Sequence, residues 1–203
     1  RPAHRDGVLM RALKAYARSP AALIGSAILL ALLVMGLGAS WFYPNDPLGL
    51  AGRPLQWPGT NPRFPLGTDP SGRDIAAQLF HGARISLLIG FVATSIAVVI
   101  GIAIGAVAGF YGGAVDTALM RLTEAFQTVP NFLLLLVLVA VFGSTLETVT
   151  IAIGVVSWPP VARLTRAEFL SLRTRDFVQA CRLQGLGDVH LILREVLPNA
   201  LPP

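Results

Sequence analysis

The 26-residue stretch Ile85–Phe110, ISLLIGFVATSIAVVIGIAIGAVAGF, contains no charged side chain. As an α-helix it is about 39 Å long, enough to cross the hydrocarbon core of a bilayer with some tilt. The whole chain shares this character: of its 203 residues 54% are hydrophobic and only 13% are charged, and its mean hydropathy is +0.65. Soluble domains usually carry about 25% charged residues. The sequence therefore predicts an all-α, polytopic transmembrane helix bundle.

A second uncharged run precedes this stretch, and two less clean ones follow it. Residues 21–42 are long enough to span and end in Trp41-Phe42-Tyr43, an aromatic group that suits a membrane interface. A cleavable signal peptide is the competing interpretation, and the length and aromatic end of the run favour a span. In order, we predict a cytoplasmic N-terminal segment (1–20), a first span (21–42), an extracytoplasmic loop (43–84), a second span (85–110), a cytoplasmic lead-in with a third span (111–142), a fourth span (148–172) and a cytoplasmic loop (173–199).

Positive charge sets the predicted orientation, because short loops that remain in the cytoplasm carry an excess of Lys and Arg. With the N-terminus inside, the inner segments hold twelve basic residues, whereas the outer segments hold only Arg53, Arg63, Arg73 and Arg84. The sequence therefore predicts a multi-pass protein with a cytoplasmic N-terminus.

Small residues recur at every fourth position of the second span: Ala93, Ala97, Gly101, Gly105 and Gly109. This spacing lets helix backbones approach closely, and in lipid such packing replaces the hydrophobic effect as the driving force. Two interpretations remain open: a helix that lines or flanks a pathway at the centre of a bundle, and ordinary tight packing.

Prolines interrupt the last two predicted spans. Residues 115–129 can extend the third span through the interface, and Pro130 then breaks its hydrogen-bond ladder, as Pro159 and Pro160 do in the fourth, so both spans are predicted to be kinked. No ionisable residue lies in the middle of a span, which argues against a proton relay or an ion-coupled mechanism. Motion in this protein is expected to be driven from outside the bilayer.

The sequence lacks the residues that a P-loop ATPase, a metal site or an intramembrane enzyme would need. The only lysine, Lys14, follows no glycine-rich turn, so the chain cannot be a P-loop ATPase. His4, His81 and His190 are scattered and Cys181 is the only cysteine, so no metal site is expected. Serine, histidine and acidic residues do not converge on adjacent predicted helices, so an intramembrane enzyme finds little support.

A polar decapeptide, PLGTDPSGRD at residues 65–74, precedes the second span. Its turn-forming and capping residues stand beside glycines, which predicts a bent loop that caps the following helix. The residues that we assign to this motif are Gly67, Thr68, Asp69, Gly72, Arg73 and Asp74.

The segment Asp176–Asn199, DFVQACRLQGLGDVHLILREVLPN, predicts two short helices with a hinge between them. Asp176 and Asp188 are candidate caps, and Gly185 and Gly187 end the first helix. In the second helix one apolar stripe is predicted from the spacing of Val189, Ile192, Leu193, Val196 and Leu197. Residues and composition leave two roles open: a helix that lies on lipid headgroups, or an element that docks on a partner.

Four stretches, in order and spacing, resemble the C-type permease subunit of dipeptide, oligopeptide and nickel ABC importers, a binding-protein-dependent inner-membrane component. The resemblance runs from about Arg18 to the last residue. The four stretches are LGTDPSGRD with Gly82–Leu87; Tyr111-Gly112-Gly113, Asp116, Met120-Arg121 and Pro130; Trp158, Ala162-Arg163 and Arg166; and Asp176–Asn199, which is similar to the family's EAA coupling loop.

The sequence departs from the family at two points. The glutamate and the second alanine that the coupling loop usually carries are Gln179 and Cys181 here, while Ala180 is retained. Glutamine keeps the size and hydrogen-bonding reach of glutamate and loses its charge. Docking by shape is therefore still expected, and whether Gln179 keeps the contact of a glutamate stays open. The family has six spans, so we expect the chain to lack the last two and to be truncated or incompletely represented.

The resemblance implies a type I importer permease, with residues 85–203 as the permease domain. It implies a bacterial-type inner membrane, a second permease subunit, two cytoplasmic ATPase subunits that hold ATP and Mg, an extracytoplasmic substrate-binding protein, and no nucleic acid. The chain itself would bind no cofactor and catalyse no reaction. Its contacts to the ATPase would come from Phe177, Gln179, Ala180, Arg182, Gln184, Gly185 and Pro198.

Peptides are the default substrate because Leu197-Pro198-Asn199 is more similar to peptide-type members. The alternatives are a nickel or metal-chelate importer, and a membrane assembly or interaction protein with no transport path.

Overall fold

The computed structural model describes residues 16–200, which form helices joined by turns and one long loop and thereby confirm the all-α class. The basic residues Arg1, Arg5, Arg11 and Lys14, which contribute to the predicted orientation, lie outside the described residues. In chain order the elements are α1 Pro20–Phe42, α2 Ile75–Tyr111, α3 Gly113–Thr128, α4 Asn131–Phe142, α5 Leu146–Val156, α6 Trp158–Leu172, α7 Asp176–Leu183 and a terminal helical segment made of α8 Asp188–His190, a π-helix Leu191–Val196 and α9 Leu197–Ala200.

The chain divides into two compact units between Leu88 and Ile89. In the first unit, α1 begins at Pro20, where a missing N–H costs no helical hydrogen bond, and the Ser19 side chain accepts a bond from the backbone N–H of Ala22 at 3.4 Å. The Arg84 guanidinium donates a hydrogen bond to the Ser40 hydroxyl at 2.9 Å. This bond ties the end of α1 to the early turns of α2.

Helix α2 begins ten residues earlier than the predicted second span, so the non-helical loop ends at Asp74 rather than at residue 84. The cause is local: the Asp74 carboxylate accepts a hydrogen bond from the backbone N–H of Ala76 at 2.9 Å and caps the helix. With 37 residues α2 is about 56 Å long, well beyond the thickness of a hydrocarbon core. The apolar run 85–110 is therefore the later part of a longer helix.

In the second unit, the third predicted span is bent rather than extended. Helices α3 and α4 meet at an angle of 80° across Val129 and Pro130, so residues 115–129 do not lengthen α4 along its own axis. Pro130 has no N–H to donate, and the residue before a proline avoids the helical conformation; Val129 accordingly lies in the extended region at φ −83° and ψ 124°. The predicted break at Pro130 is present, and the predicted continuous helix is not.

The fourth predicted span, 148–172, is also divided. Helix α5 ends at Val156 and α6 begins at Trp158, so the break falls at Ser157 and the two prolines lie in the first turn of α6. Proline is tolerated there because the first N–H groups of a helix have no intrahelical partner. The described residues thus hold two continuous helices, α1 and α2, that are long and apolar enough to span, or three spans if α3 and α4 count as one, instead of four.

The buried core of the second unit joins four elements. Ala106 and Phe110 from α2, and Phe169 from α6, pack with Val178 from α7 and with two residues of the terminal segment, Leu191 and Val196. All six are at most 3% exposed. The segment after α6 is therefore packed against α2 and α6 through apolar side chains.

Candidate docking segment and its supporting contacts

Helix α7 ends in a Schellman motif. Gly185 takes φ +80°, its N–H donates to the Arg182 carbonyl at 2.9 Å, and the N–H of Leu186 donates to the Cys181 carbonyl at 3.3 Å. The sequence predicts the helix end at this glycine, whereas Gly187 is the N-cap residue of the next helix, with φ −70°. Asp176 and Asp188 are the first helical residues rather than caps, and neither cap position has a side-chain hydrogen bond.

The apolar stripe predicted for the second helix is wrong at two positions. Val189 and Leu193 are 68% and 57% exposed, whereas Leu191, which the stripe omits, is fully buried together with Val196. The reason is the π-helix Leu191–Val196, whose hydrogen bonds reach five residues back, as from the Leu197 N–H to the Ile192 carbonyl. A wider turn brings positions five apart onto one face, so a period of 3.6 assigns the wrong residues.

The residues assigned to ATPase contact lie on the open side of this segment. Phe177 is 37% exposed, and the remaining six, Gln179, Ala180, Arg182, Gln184, Gly185 and Pro198, are exposed as well. A side chain added at Gly185 would meet nothing within 4 Å. Leu183, which is 90% exposed, enlarges the apolar part of the same surface. We call the exposed residues Phe177, Ala180, Leu183 and Gln184 the α7 outer face.

The opposite side of α7 is anchored on α2 and α6. Val178 is fully buried among Phe110 and Phe169, and Cys181 packs against the same cluster. The Gln179 side-chain amide donates to the backbone carbonyl of Arg173 at 3.2 Å, which ties α7 to the end of α6. A force applied to the α7 outer face would thus reach two helices through close-packed side chains.

The glycines of the small-residue stripe face α6 at backbone contact distance. A Cβ added at Gly101 would lie 2.5 Å from the Val161 Cβ, and one at Gly109 would lie 2.6 Å from the Phe169 Cβ. At Gly105 an added Cβ would collide with the Ala162 carbonyl oxygen. Alanine or any larger residue at these three positions would push the helices apart.

A fourth close glycine was missed by sequence reasoning. A Cβ added at Gly154 of α5 would lie 2.7 Å from the Ile96 Cβ and 2.9 Å from the Ala93 carbonyl. No regular spacing marks Gly154, although a lone glycine inside an apolar run is a signal of close packing. The early part of the stripe, at Ala93, therefore faces α5, whereas its later part faces α6.

An ion pair joins α3 to α6. Two guanidinium nitrogens of Arg166 donate to the two carboxylate oxygens of Asp116, one of them at 2.6 Å. Beside it, the Arg163 guanidinium donates to the Gln127 side-chain carbonyl at 2.6 Å. Two parallel bonds fix the guanidinium and carboxylate planes, so this pair sets the orientation of α3 as well as its distance.

The loop motif in the first unit is turned inward. The Thr68 hydroxyl donates to the Arg53 carbonyl at 2.5 Å and accepts from the Gln56 N–H at 3.0 Å, and the residue is only 3% exposed. Gly67 takes φ +78°, and a Cβ there would collide with the Gln56 carbonyl. These contacts close the loop on itself over twelve to fifteen residues.

Asp69 of the same motif accepts hydrogen bonds from other residues of the loop and from the start of α2. The Asp69 carboxylate accepts hydrogen bonds from the N–H of Ser71 at 2.8 Å, the N–H of Arg73 at 2.9 Å and the Gln78 amide at 3.1 Å. Of these, the Arg73 bond contributes most to lowering the pKa of Asp69, against the opposing effect of partial burial. The carbonyl of Gly72 accepts bonds from two further N–H groups, at 2.9 and 3.0 Å. The motif therefore has a structural explanation within the loop.

Metal binding has no geometric support among residues 16–200, where no three His, Cys, Asp or Glu side chains cluster closely enough to hold an ion.

Comparison with known proteins shows which family this chain belongs to. Residues 101–203 match the family described as binding-protein-dependent transport system inner membrane component. The chain is 35% identical over 193 residues to the dipeptide transport system permease protein DppC of Haemophilus influenzae, and the match covers 93% of this chain and 65% of that protein.

Two further relatives extend the comparison. The chain is 38% identical over 195 residues to the di/tripeptide transport system permease protein DppC of Pseudomonas aeruginosa, with 94% of this chain and 64% of that protein covered. It is 34% identical over 182 residues to the oligopeptide transport system permease protein OppC of Haemophilus influenzae, with 89% and 58% covered. The chain thus spans about three fifths of the length of these relatives. The resemblance to peptide-importer permeases is confirmed, and the chain belongs to the family of binding-protein-dependent transport system inner membrane components.

Proposed function

We propose that this chain is a permease subunit of an ATP-driven importer of dipeptides or oligopeptides, and that it forms part of the translocation path and transmits the action of a cytoplasmic ATPase. The proposed complex contains a second permease subunit, two ATPase subunits that hold ATP and Mg, and an extracytoplasmic substrate-binding protein. The printed names of the relatives, which are dipeptide, di/tripeptide and oligopeptide permeases, support peptides as the substrate class.

The α7 outer face carries this proposal. An isolated surface helix normally exposes its polar side, but here Leu183 is 90% exposed and Phe177 37% exposed, while the other side of α7 is held in the core by Val178. An exposed apolar face on a short helix is typical of a helix that seats in a groove on a partner. Docking there would move α2 and α6 as a rigid body, because both contact the buried side of α7.

The proposed orientation places α7 in the cytoplasm, where the ATPase subunits would lie. The support is the distribution of arginines: Arg173, Arg175, Arg182 and Arg194 cluster in and around this segment. An excess of positive charge marks the cytoplasmic side. The loop before α2 would then lie outside, together with its inward-turned motif.

The first experiment replaces Gly185 by Trp and measures ATP-driven uptake of a labelled dipeptide by proteoliposomes that hold the assembled transporter. Because space around Gly185 is open, the indole fits on the surface and blocks the approach of a partner. We expect normal expression and membrane insertion, with uptake reduced to background. Strain at the positive φ is about 1–2 kcal/mol and does not unfold the chain.

The matched control is Gly143→Trp. Gly143 also takes a positive φ, +94°, and also has nothing within 4 Å of an added Cβ, but it lies at the end of α4, outside the docking segment. Its uptake should equal that of the unmodified protein. Normal uptake by the Gly185 variant would exclude the coupling role. Failure of the unmodified chain to co-purify with an ATPase would favour an assembly protein without a transport path.

A further inference from the structure

A polar cavity of about 460 Å³ lies where α7 meets the end of α2. Two arginines from different elements line it, Arg173 after α6 and Arg182 on α7. Tyr111, the last residue of α2, and the side chains of Thr174 and Gln179 complete much of the wall. The cavity lies beside the α7 outer face, and no residue of that face lines it. It does include Gln179 and Arg182, two of the residues assigned to ATPase contact.

The charge in this cavity is unbalanced. Asp188 is the only acidic residue that lines it, and neither arginine lies within 4.0 Å of a carboxylate among residues 16–200. Asp116 of α3 also interacts electrostatically with Arg173, but it is already paired with Arg166. Both guanidiniums are nevertheless held in place. Arg182 lies over the Phe110 ring with its Cζ 5.0 Å from the centroid, and Arg173 fills the space that the missing side chain of Gly112 leaves.

We propose that this cavity binds a phosphate group, and that the phosphate is that of an anionic phospholipid headgroup. Guanidinium groups present forked N–H donors that match the oxygens of a phosphate, and Gln179 uses one amide N–H on the Arg173 carbonyl and retains the other. Tyr111, which lines the cavity and is 49% exposed, is the last residue of α2, an apolar helix of spanning length. An aromatic residue and basic residues at the end of a spanning helix are the arrangement that recognises anionic headgroups.

The residue at position 179 decides whether the cavity is available to an external anion. A glutamate at this position would place a second carboxylate among the lining residues and balance the second arginine. With Gln179 the lining carries two positive charges and one negative charge. Because the lining residues do not neutralise one another, the cavity would take a further negative charge from a bound anion.

The test is a titration of the purified chain in neutral detergent micelles, followed by native mass spectrometry. The probes are short-chain phosphatidylglycerol, short-chain phosphatidylcholine and inorganic phosphate. We expect phosphatidylglycerol to bind at least tenfold more tightly than phosphatidylcholine, because two arginines contribute about fivefold each. Inorganic phosphate should bind more weakly than phosphatidylglycerol, since it has no acyl chains to contact the apolar surface of α2.

The decisive variant is Gln179→Glu, and its matched control is Gln184→Glu. Both add one negative charge to the same helix with no change in side-chain size, but Gln184 does not line the cavity. Gln179→Glu should weaken phosphatidylglycerol binding about tenfold, and Gln184→Glu should leave it unchanged. The double variant Arg173→Gln/Arg182→Gln should also lose the preference for phosphatidylglycerol, while Arg175→Gln, outside the cavity, should keep it.

Three results would overturn the proposal. Equal binding of phosphatidylglycerol by both glutamate variants would exclude this cavity. Inorganic phosphate that binds as tightly as phosphatidylglycerol would exclude the lipid as the source. An unchanged preference for phosphatidylglycerol in the Arg173→Gln/Arg182→Gln variant would exclude the two arginines as the groups that bind the headgroup. None of these measurements depends on transport, so their outcome is distinct from that of the uptake experiment.

Discussion

The loop that precedes α2 and the segment that follows α6 each carry a sequence motif, and the two motifs differ in what their side chains contact. In the loop, Thr68 and Asp69 turn their polar atoms inward and bind the backbone of their own loop. In the segment after α6, apolar Val178 turns inward while Phe177 and Leu183 face outward. An inward motif is explained by the stability of its own fold, whereas an outward apolar motif needs a partner to explain it.

The largest expected effect tests which leucine of the terminal segment faces the core and which faces outward. Leu191→Ala should lower the free energy of unfolding by about 2–5 kcal/mol, because it empties a fully buried site in the core cluster. Leu193→Ala makes the same change two residues later on an exposed side chain and should alter it by less than about 0.5 kcal/mol. Thermal denaturation in detergent, followed by circular dichroism, measures both. The reverse order would mean that the segment is a regular α-helix without the π-helical turn.

A second prediction concerns the inward motif of the loop. Thr68→Val keeps the shape of the side chain and removes both of its hydrogen bonds, leaving the Gln56 N–H and the Arg53 carbonyl without that partner. We expect a loss of about 1–3 kcal/mol, seen as faster cleavage of residues 43–74 by a protease. The control, Thr60→Val, changes an exposed threonine of the same loop and should have little effect. Equal cleavage of the two variants would show that the motif does not stabilise the loop.

The smallest expected effect is a dependence of the loop on acid. Hydrogen bonding, chiefly from the Arg73 N–H, holds the pKa of Asp69 below its ordinary value of 3.8. A carboxyl with a lowered pKa in the folded state stabilises that state at pH values above 3.8, and this contribution is lost as the pH falls through the lowered value.

Asp69→Asn keeps an oxygen acceptor but removes the charge, so it should make the loop easier to cleave at pH 7. The difference between the two proteins should shrink once the pH falls below 3.8. Measuring unfolding with denaturant at several pH values tests this directly. A difference that is constant across the whole range would exclude a role for the ionised carboxylate.

How much of the fold could be predicted depended on the range of the interactions involved. The apolar runs that became α1 and the later part of α2, and the helix end at Gly185, follow from local composition and backbone conformation, so the sequence predicts them well. The start of α2 at Ile75 was missed because the ten residues after Asp74 include polar side chains, whereas a capping bond from Asp74 is enough to begin a helix there. The division of the fourth span does not follow from the sequence, because a proline is compatible both with a kink inside a helix and with the first turn of a new one.

The candidate site divides in the same way. The contact residues were assigned from the resemblance, and all seven are exposed in the structure. The buried face of the terminal segment could not be inferred from the sequence, because a π-helix shifts which positions share a face. The cavity with Arg173 and Arg182 had no sequence signal, since its arginines lie nine residues apart on different elements and meet only where α7 folds back onto the end of α2.

The sequence by itself determined that the chain enters a membrane, where its long apolar helices lie and where α7 ends, because transfer of side chains to lipid and the backbone freedom of glycine are properties of short stretches. Only the tertiary structure decided which face of each helix is buried. That choice depends on what packs opposite: Gly101 and Gly109 against α6, Val178 against Phe169, and Thr68 against its own loop. Burial depends on two surfaces in contact, and the residues of those two surfaces are separated in the sequence.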